Sequence, residues 1–222
     1  PMHDYRYALD PDHPAELLEL QPCLLEYGLA ETKSGQIMLA NAVEFPGATP
    51  TMFEWWFGYM EYESERYQTW HPLDHISARR EPDMRDHPDP KYRYVGTTGI
   101  IDEYIGPGQV QHIAIIFDEP SVVGFDQDDI DRRGLWVLTA HAIDRDTGAS
   151  LCDRQVYVAY PLPGGVLLKL RFWFAPGTPE TAARKLLQHS SNEYGHLAEF
   201  LPRLYAEVTG DTVQRRDNSF TE

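Results

Sequence analysis

The period of the hydrophobic pattern changes along this chain, and the changes mark its elements. Residues 24–32 and 36–44 are β-compatible runs separated by Lys33-Ser34-Gly35, a short loop with a glycine free to take a positive φ, which predicts a first hairpin. After Pro46-Gly47, the sequence Thr51-Met52-Phe53-Glu54 has the form of a capping box and predicts a helix through Trp55, Trp56, Phe57 and Tyr59. Pro72 stops any helix that arrives from residues 63–71. Residues 77–91 are charged and proline-rich and read as an exposed loop. From residue 92 the pattern is strand-like, over 92–105, 110–117, 135–144, 151–160 and 166–175. Most of the breaks between these runs are short, which makes successive strands antiparallel.

The last pattern is helical and spans residues 179–209. Leu186, His189, Glu193, Leu197, Phe200 and Leu204 fall on one stripe, while Arg184, Lys185, Gln188, Asn192 and Glu199 face away. Strands, a short helix, a run of strands and one long helix argue for an α+β fold in which a curved antiparallel sheet grips the final helix. A sheet wrapped on a helix leaves a cavity between them.

That apolar stripe carries a histidine and a carboxylate. A spacing of four stacks His189 and Glu193 on one helix face, so both can converge on one point. A buried carboxylate costs several kcal/mol unless compensated, and either a divalent cation or hydrogen-bond donors from a Tyr, an Arg or backbone amides could compensate it. Alternation in 99–105 puts Glu103 on one face with Ile101 and Ile105, which makes it a second candidate for a buried carboxylate. Tyr67, His71, Asp74 and His75 crowd one short segment. His112 and His141 lie in strands that could face either way, and His3, His13 and His87 are expected in solvent.

Composition narrows the partners. A net charge of −16 repels phosphate backbones and anionic membrane surfaces, so neither nucleic acid nor a membrane is an expected partner. The 13 Tyr, 9 Phe and 5 Trp suit a pocket for a flat ligand, and the aromatic run at residues 53–57 reads equally as core or as the face of a homodimer. Cys23 and Cys152 are far apart with no CxxC spacing, which fits a reducing compartment. No charged-then-apolar leader opens the sequence and no apolar run approaches the ~18 residues of a membrane span, so a cytoplasmic protein is expected. Residues 1–22 read as a surface arm, 23–213 as a single domain and 214–222 as a polar tail.

Four stretches together, Trp55-Trp56-Phe57, residues 67–75 (YQTWHPLDH), Arg171-Phe172-Trp173 and His189-Ser190-Ser191-Asn192-Glu193, resemble the diacetylphloroglucinol hydrolase family, which includes phloretin-hydrolase-like enzymes. The resemblance covers about residues 45–202. It implies a helix-grip fold of the Bet v 1 and START type, a Zn²⁺ ion held by two His and two Glu, and hydrolysis of the carbon–carbon bond between an acyl group and a phenolic ring. Carried over by position, it implies His71, Glu103, His189 and Glu193 as metal ligands, with His75 the rival of His71. By ligand type, Fe²⁺ or Mn²⁺ would also suit this set.

The resemblance further implies that Tyr67, Asp74 and His75 orient phenolic oxygens or move protons. Tyr160 joins them from Tyr157-Val158-Ala159-Tyr160, where the family carries a further histidine. The implied substrate is a small aromatic or polyketide-like molecule. Two other readings keep the pocket: a metal-assisted cyclase or isomerase of a polyketide-like or aromatic intermediate, and a non-catalytic binder of hydrophobic aromatics.

Overall fold

In the computed structural model, which describes residues 2–19, 25–106 and 108–211, the chain forms eight strands and four α-helices. They run in the order β1 (Gly28–Glu31), β2 (Ile37–Pro46), α1 (Pro50–Phe57), α2 (Ser64–Trp70), β3 (His75–Glu81), β4 (Thr98–Tyr104), β5 (Val110–Asp118), α3 (Gln127–Arg133), β6 (Trp136–Asp144), β7 (Ser150–Leu162), β8 (Gly165–Phe174) and α4 (Glu180–Thr209). The strands make one antiparallel sheet ordered β1-β2-β8-β7-β6-β5-β4-β3. The expected tail at 214–222, Cys23 and the first residue of the expected first strand lie outside the described residues.

The fold is the expected α+β helix-grip arrangement. At 30 residues, α4 is about 45 Å long. Its inward stripe, with Leu187, Tyr194, Leu197, Phe200 and Leu201, packs with α1 and the inward positions of the sheet into the main core. A second apolar layer covers the other face of the sheet. There Leu17, Leu18, Phe125 and Ile130 pack on Val156, Val158, Tyr160 and Trp173. Strand alternation separates the two layers, so Tyr157 and Ala159 face α4 while Val158 and Tyr160 face outward. No helix among the described residues is long and apolar enough to cross a membrane.

Four local expectations are corrected. α1 begins two residues earlier, with Pro50 at its start and Thr49 as its cap residue, so Thr51 lies inside the helix and no capping box forms. The segment expected as a loop from residue 77 contains most of strand β3, whose charged residues Arg79 and Glu81 suit a sheet edge. Residues 92–97 are not strand: Pro90–Arg93 is a 3₁₀ turn, and β4 starts at Thr98. The acidic stretch before β6 holds the short helix α3, capped by the Asp126 side chain and ended by Gly134 in the left-handed region.

Candidate metal centre and its cavity

Three elements bring the site together. β4 alternates strictly, with Gly99, Ile101 and Glu103 inward, so Glu103 reaches the space between sheet and helix. α4 delivers His189 and Glu193 from successive turns of its buried face. β3 delivers His75 through a register shift. Ala78 pairs with Ile101 and faces inward, and a regular strand would next place Ile76 opposite Glu103. One extra residue between His75 and Ser77 sets His75 opposite Glu103 instead and turns its side chain into the interior.

The four groups converge. His75 Nε2 lies 3.5 Å from Glu103 Oε2 and 3.4 Å from Glu193 Oε2. His189 Nε2 lies 3.8 Å from each of the same two oxygens. All four side chains are buried. Both imidazoles are oriented from behind: His75 Nδ1 donates to the Tyr67 carbonyl at 2.9 Å, and His189 Nδ1 donates to Asp74 Oδ2 at 3.2 Å. This leaves both Nε2 atoms buried, without a hydrogen-bond partner, and aimed at two carboxylates.

Burial dominates the electrostatics. It pushes the Glu193 carboxyl up to about 8, with Glu103 and Asp74 adding to the effect and His189 opposing it. Burial also drives His75 down to about 4. For His189, burial acts downward, but Glu193, Glu103 and Asp74 together outweigh it and raise its pKa. Two buried carboxylates facing ring nitrogens that have no hydrogen-bond partner are what a cation would satisfy.

The residues fit such a cation. Donors around a tetrahedral ion at about 2.0–2.1 Å stand about 3.3–3.4 Å apart, close to the spacings here. Two imidazole nitrogens and two carboxylate oxygens suit Zn²⁺, and a carboxylate behind one ligating histidine is a recurrent orienting device. Tyr67 stacks on His75 with ring centroids 3.8 Å apart, and its hydroxyl donates to Glu103 Oε2. The Trp70 indole donates to the Glu193 carbonyl at 3.0 Å and so ties α2 to α4.

A cavity of about 320 Å³ opens beside the cluster. Glu103, His189, Glu193 and Tyr67 lie on its wall, with Phe57, Trp70, Tyr157 and Tyr194 as the aromatic surface. Burial raises the pKa values of Tyr67, Tyr157 and Tyr194 well above the ordinary range, so all three stay protonated donors at neutral pH.

Three expected assignments change. His71 is not within ion-pair distance of either glutamate; its ring lies 4.9 Å from that of His189 and 5.5 Å from that of His75, with Nε2 3.6 Å from Asp74 Oδ2, so that His71, Asp74 and His189 form a second group able to hold a cation. His75 is within ion-pair distance of both glutamates. Asp74 and His75 are not on the cavity wall: His75 stands in the candidate cluster, and Asp74 accepts from His189 Nδ1. Tyr160 is on the outer face of the sheet because it is out of phase with Tyr157. His112 and His141 also face outward, each paired with an aspartate, Asp102 and Asp118, at 2.7 Å.

Sequence reasoning did not single out Tyr157 and Tyr194. The adjacency of Tyr194 to Glu193 was the available signal for one. For the other it was the phase Tyr157 shares with Gln155 and Ala159.

The family described as the DAPG hydrolase PhiG domain matches residues 10–179 of this chain. The chain belongs to that family. Among curated relatives of this PhiG-domain protein, the 2,4-diacetylphloroglucinol hydrolase of a Pseudomonas species is 29% identical, covering 83% of this chain and 74% of its own. The phloretin hydrolase of Eubacterium ramulus is 27% identical, covering 81% of this chain and 71% of its own. Solved structures with a similar course of chain include Ara h 8.0201, 11% identical with a TM-score of 0.48, covering 75% of this chain and 98% of that one. A START superfamily protein from Mycobacterium smegmatis is 15% identical with a TM-score of 0.47, covering 77% and 99%.

Proposed function

We propose that this protein is a zinc-dependent hydrolase that cleaves the carbon–carbon bond between an acyl group and a phenolic, phloroglucinol-like ring, or the corresponding bond of a β-diketone-like substrate, in a retro-Claisen sense. The observation that carries this reading is the buried convergence of His75, Glu103, His189 and Glu193, three of which, Glu103, His189 and Glu193, line an aromatic cavity. The hydrolase names of the family's relatives support the reaction class.

The reaction consumes one water. Its oxygen adds to the acyl carbon, the acyl–ring bond breaks, the electron pair passes to the ring as an enolate, and a proton returns to that carbon. The products are a carboxylic acid and the deacylated phenol. A zinc ion held by the four side chains, or Fe²⁺ or Mn²⁺ in the same donor set, would supply Lewis acidity toward the acyl carbonyl or acidify water. Tyr67, Tyr157 and Tyr194 face the cavity as protonated phenols and are placed to donate to phenolic oxygens and hold the ring as its keto tautomer. Tyr67 also touches Glu103 and couples the substrate wall to the metal cluster. The aromatic surround excludes bulk water, which strengthens these interactions.

The test is incubation of the purified protein with a panel of mono- and diacylphloroglucinols, followed by mass spectrometry. Release of the free acid with one water incorporated is expected. A product of unchanged mass and altered retention would replace hydrolysis with the cyclase or isomerase reading, and unchanged starting material throughout would leave a binder.

A further inference from the structure

One cationic side chain on the cavity wall has no role in the cluster. Lys185 lies one turn before His189 on α4, about 6 Å along the helix. The sequence pattern placed it on the face away from the sheet, but it borders the cavity at the end where Ile105, Gln111, Leu151 and Thr181 also line it. Its stem lies against the turn after β4: a side chain added at Gly106 would come within 3.2 Å of its Cδ. Lys185 is itself exposed, so it stands where the cavity wall meets solvent.

The other lysines of the chain have partners. Lys33 sits over the Tyr5 ring, Lys91 pairs with Glu119 and Lys169 with Glu26. Lys185 pairs with no carboxylate among the described residues, and it is the one Lys or Arg among those lining the cavity. In a chain of net charge −16, a cation left unpaired at a cavity entrance favours an anion from outside.

Resting on the proposed hydrolase activity, we infer that Lys185 is a specificity residue for an acylphenol whose acyl chain ends in an anionic group such as a carboxylate. The two ends of the cavity set the orientation. Phe57, Tyr67, Trp70, Tyr157 and Tyr194 wall the deep end and suit the flat ring, while Ile105, Leu151 and Thr181 lead an extended chain out to Lys185.

The experiment titrates the zinc-loaded protein calorimetrically with 5-oxo-5-(2,4,6-trihydroxyphenyl)pentanoic acid and with its methyl ester. The wild type is expected to bind the acid about fivefold more tightly at low salt, the scale of one partly exposed ion pair, with the ratio shrinking at 0.5 M NaCl. Lys185→Met brings the ratio to about one, Lys185→Arg keeps it, and Lys185→Glu inverts it while ester affinity stays within about twofold.

Equal affinities in the wild type, a preference that survives Lys185→Met, or no binding of either compound would overturn the inference. Hydrolysis is read separately on the same samples. A preference that behaves as expected without any cleavage removes the hydrolase reading and leaves the Lys185 subsite standing.

Discussion

His71 and His75 sit four positions apart, and only His75 is within ion-pair distance of Glu103 and Glu193. His71 stacks on His189 and stands beside Asp74, whose carboxylate accepts from His189 Nδ1. If Asp74 fixes the ring of His189, Asp74→Asn weakens zinc binding about 10–100-fold without abolishing it, measured by competition with a chromophoric chelator. Wild-type affinity in that variant would leave Asp74 without the orienting role.

A second residue yields a pH prediction. Burial pushes the Cys152 thiol up to about 12, and its S–H donates to the Trp173 and Arg154 carbonyls at 3.2 and 3.1 Å. A thiol whose folded pKa lies above its unfolded value keeps its proton longer when folded, so its contribution to stability is whole below about pH 9 and declines as pH rises from there toward 12. At pH 8, iodoacetamide should therefore leave Cys152 unmodified in the native protein and label it in urea, as read by peptide mass mapping.

Among the elements, the edge strand β3 decides the site. Its bulge at Ile76 puts His75 rather than its neighbour opposite Glu103, and the same strand carries Arg80 into a buried ion pair with Glu61 at 2.8 Å. Glu61 is accommodated by the absence of a side chain on β4: a Cβ at Gly99 would stand 2.0 Å from Glu61 Oε2. Gly99→Ala should cost roughly 2 kcal/mol or more, because a buried ion pair cannot shift without losing its geometry. Denaturant unfolding checks this, and a change below about 0.5 kcal/mol would show that Glu61 has room to move.

These elements also show what the sequence could disclose. The long amphipathic helix and the alternation around Glu103 were legible because each depends on local period alone. The placement of His75 opposite Glu103 was not, since it follows from one extra residue in a strand whose charges made it look like a loop. Tyr160 was misplaced for a related reason: in a strand buried on both faces, hydrophobicity does not mark which side looks at the helix, and only register against β8 does. Lys185 read as a solvated position because its role depends on the distant turn at Gly106.

For the whole molecule, the gripping sheet and α4 enclose a space lined by aromatics and by Glu103, Glu193 and His189, with His75 behind them against both carboxylates. Such a set is one that a bound cation would satisfy. The direct measurement is zinc content, by inductively coupled plasma mass spectrometry, of protein purified without chelator and resupplied with zinc, comparing the wild type with His75→Ala, His189→Ala, Glu193→Ala and His71→Ala. The account predicts close to one ion per chain in the wild type and in His71→Ala, and loss of the ion in the other three. A metal-free wild type after zinc is supplied, or a His75→Ala variant that keeps its ion, would contradict it.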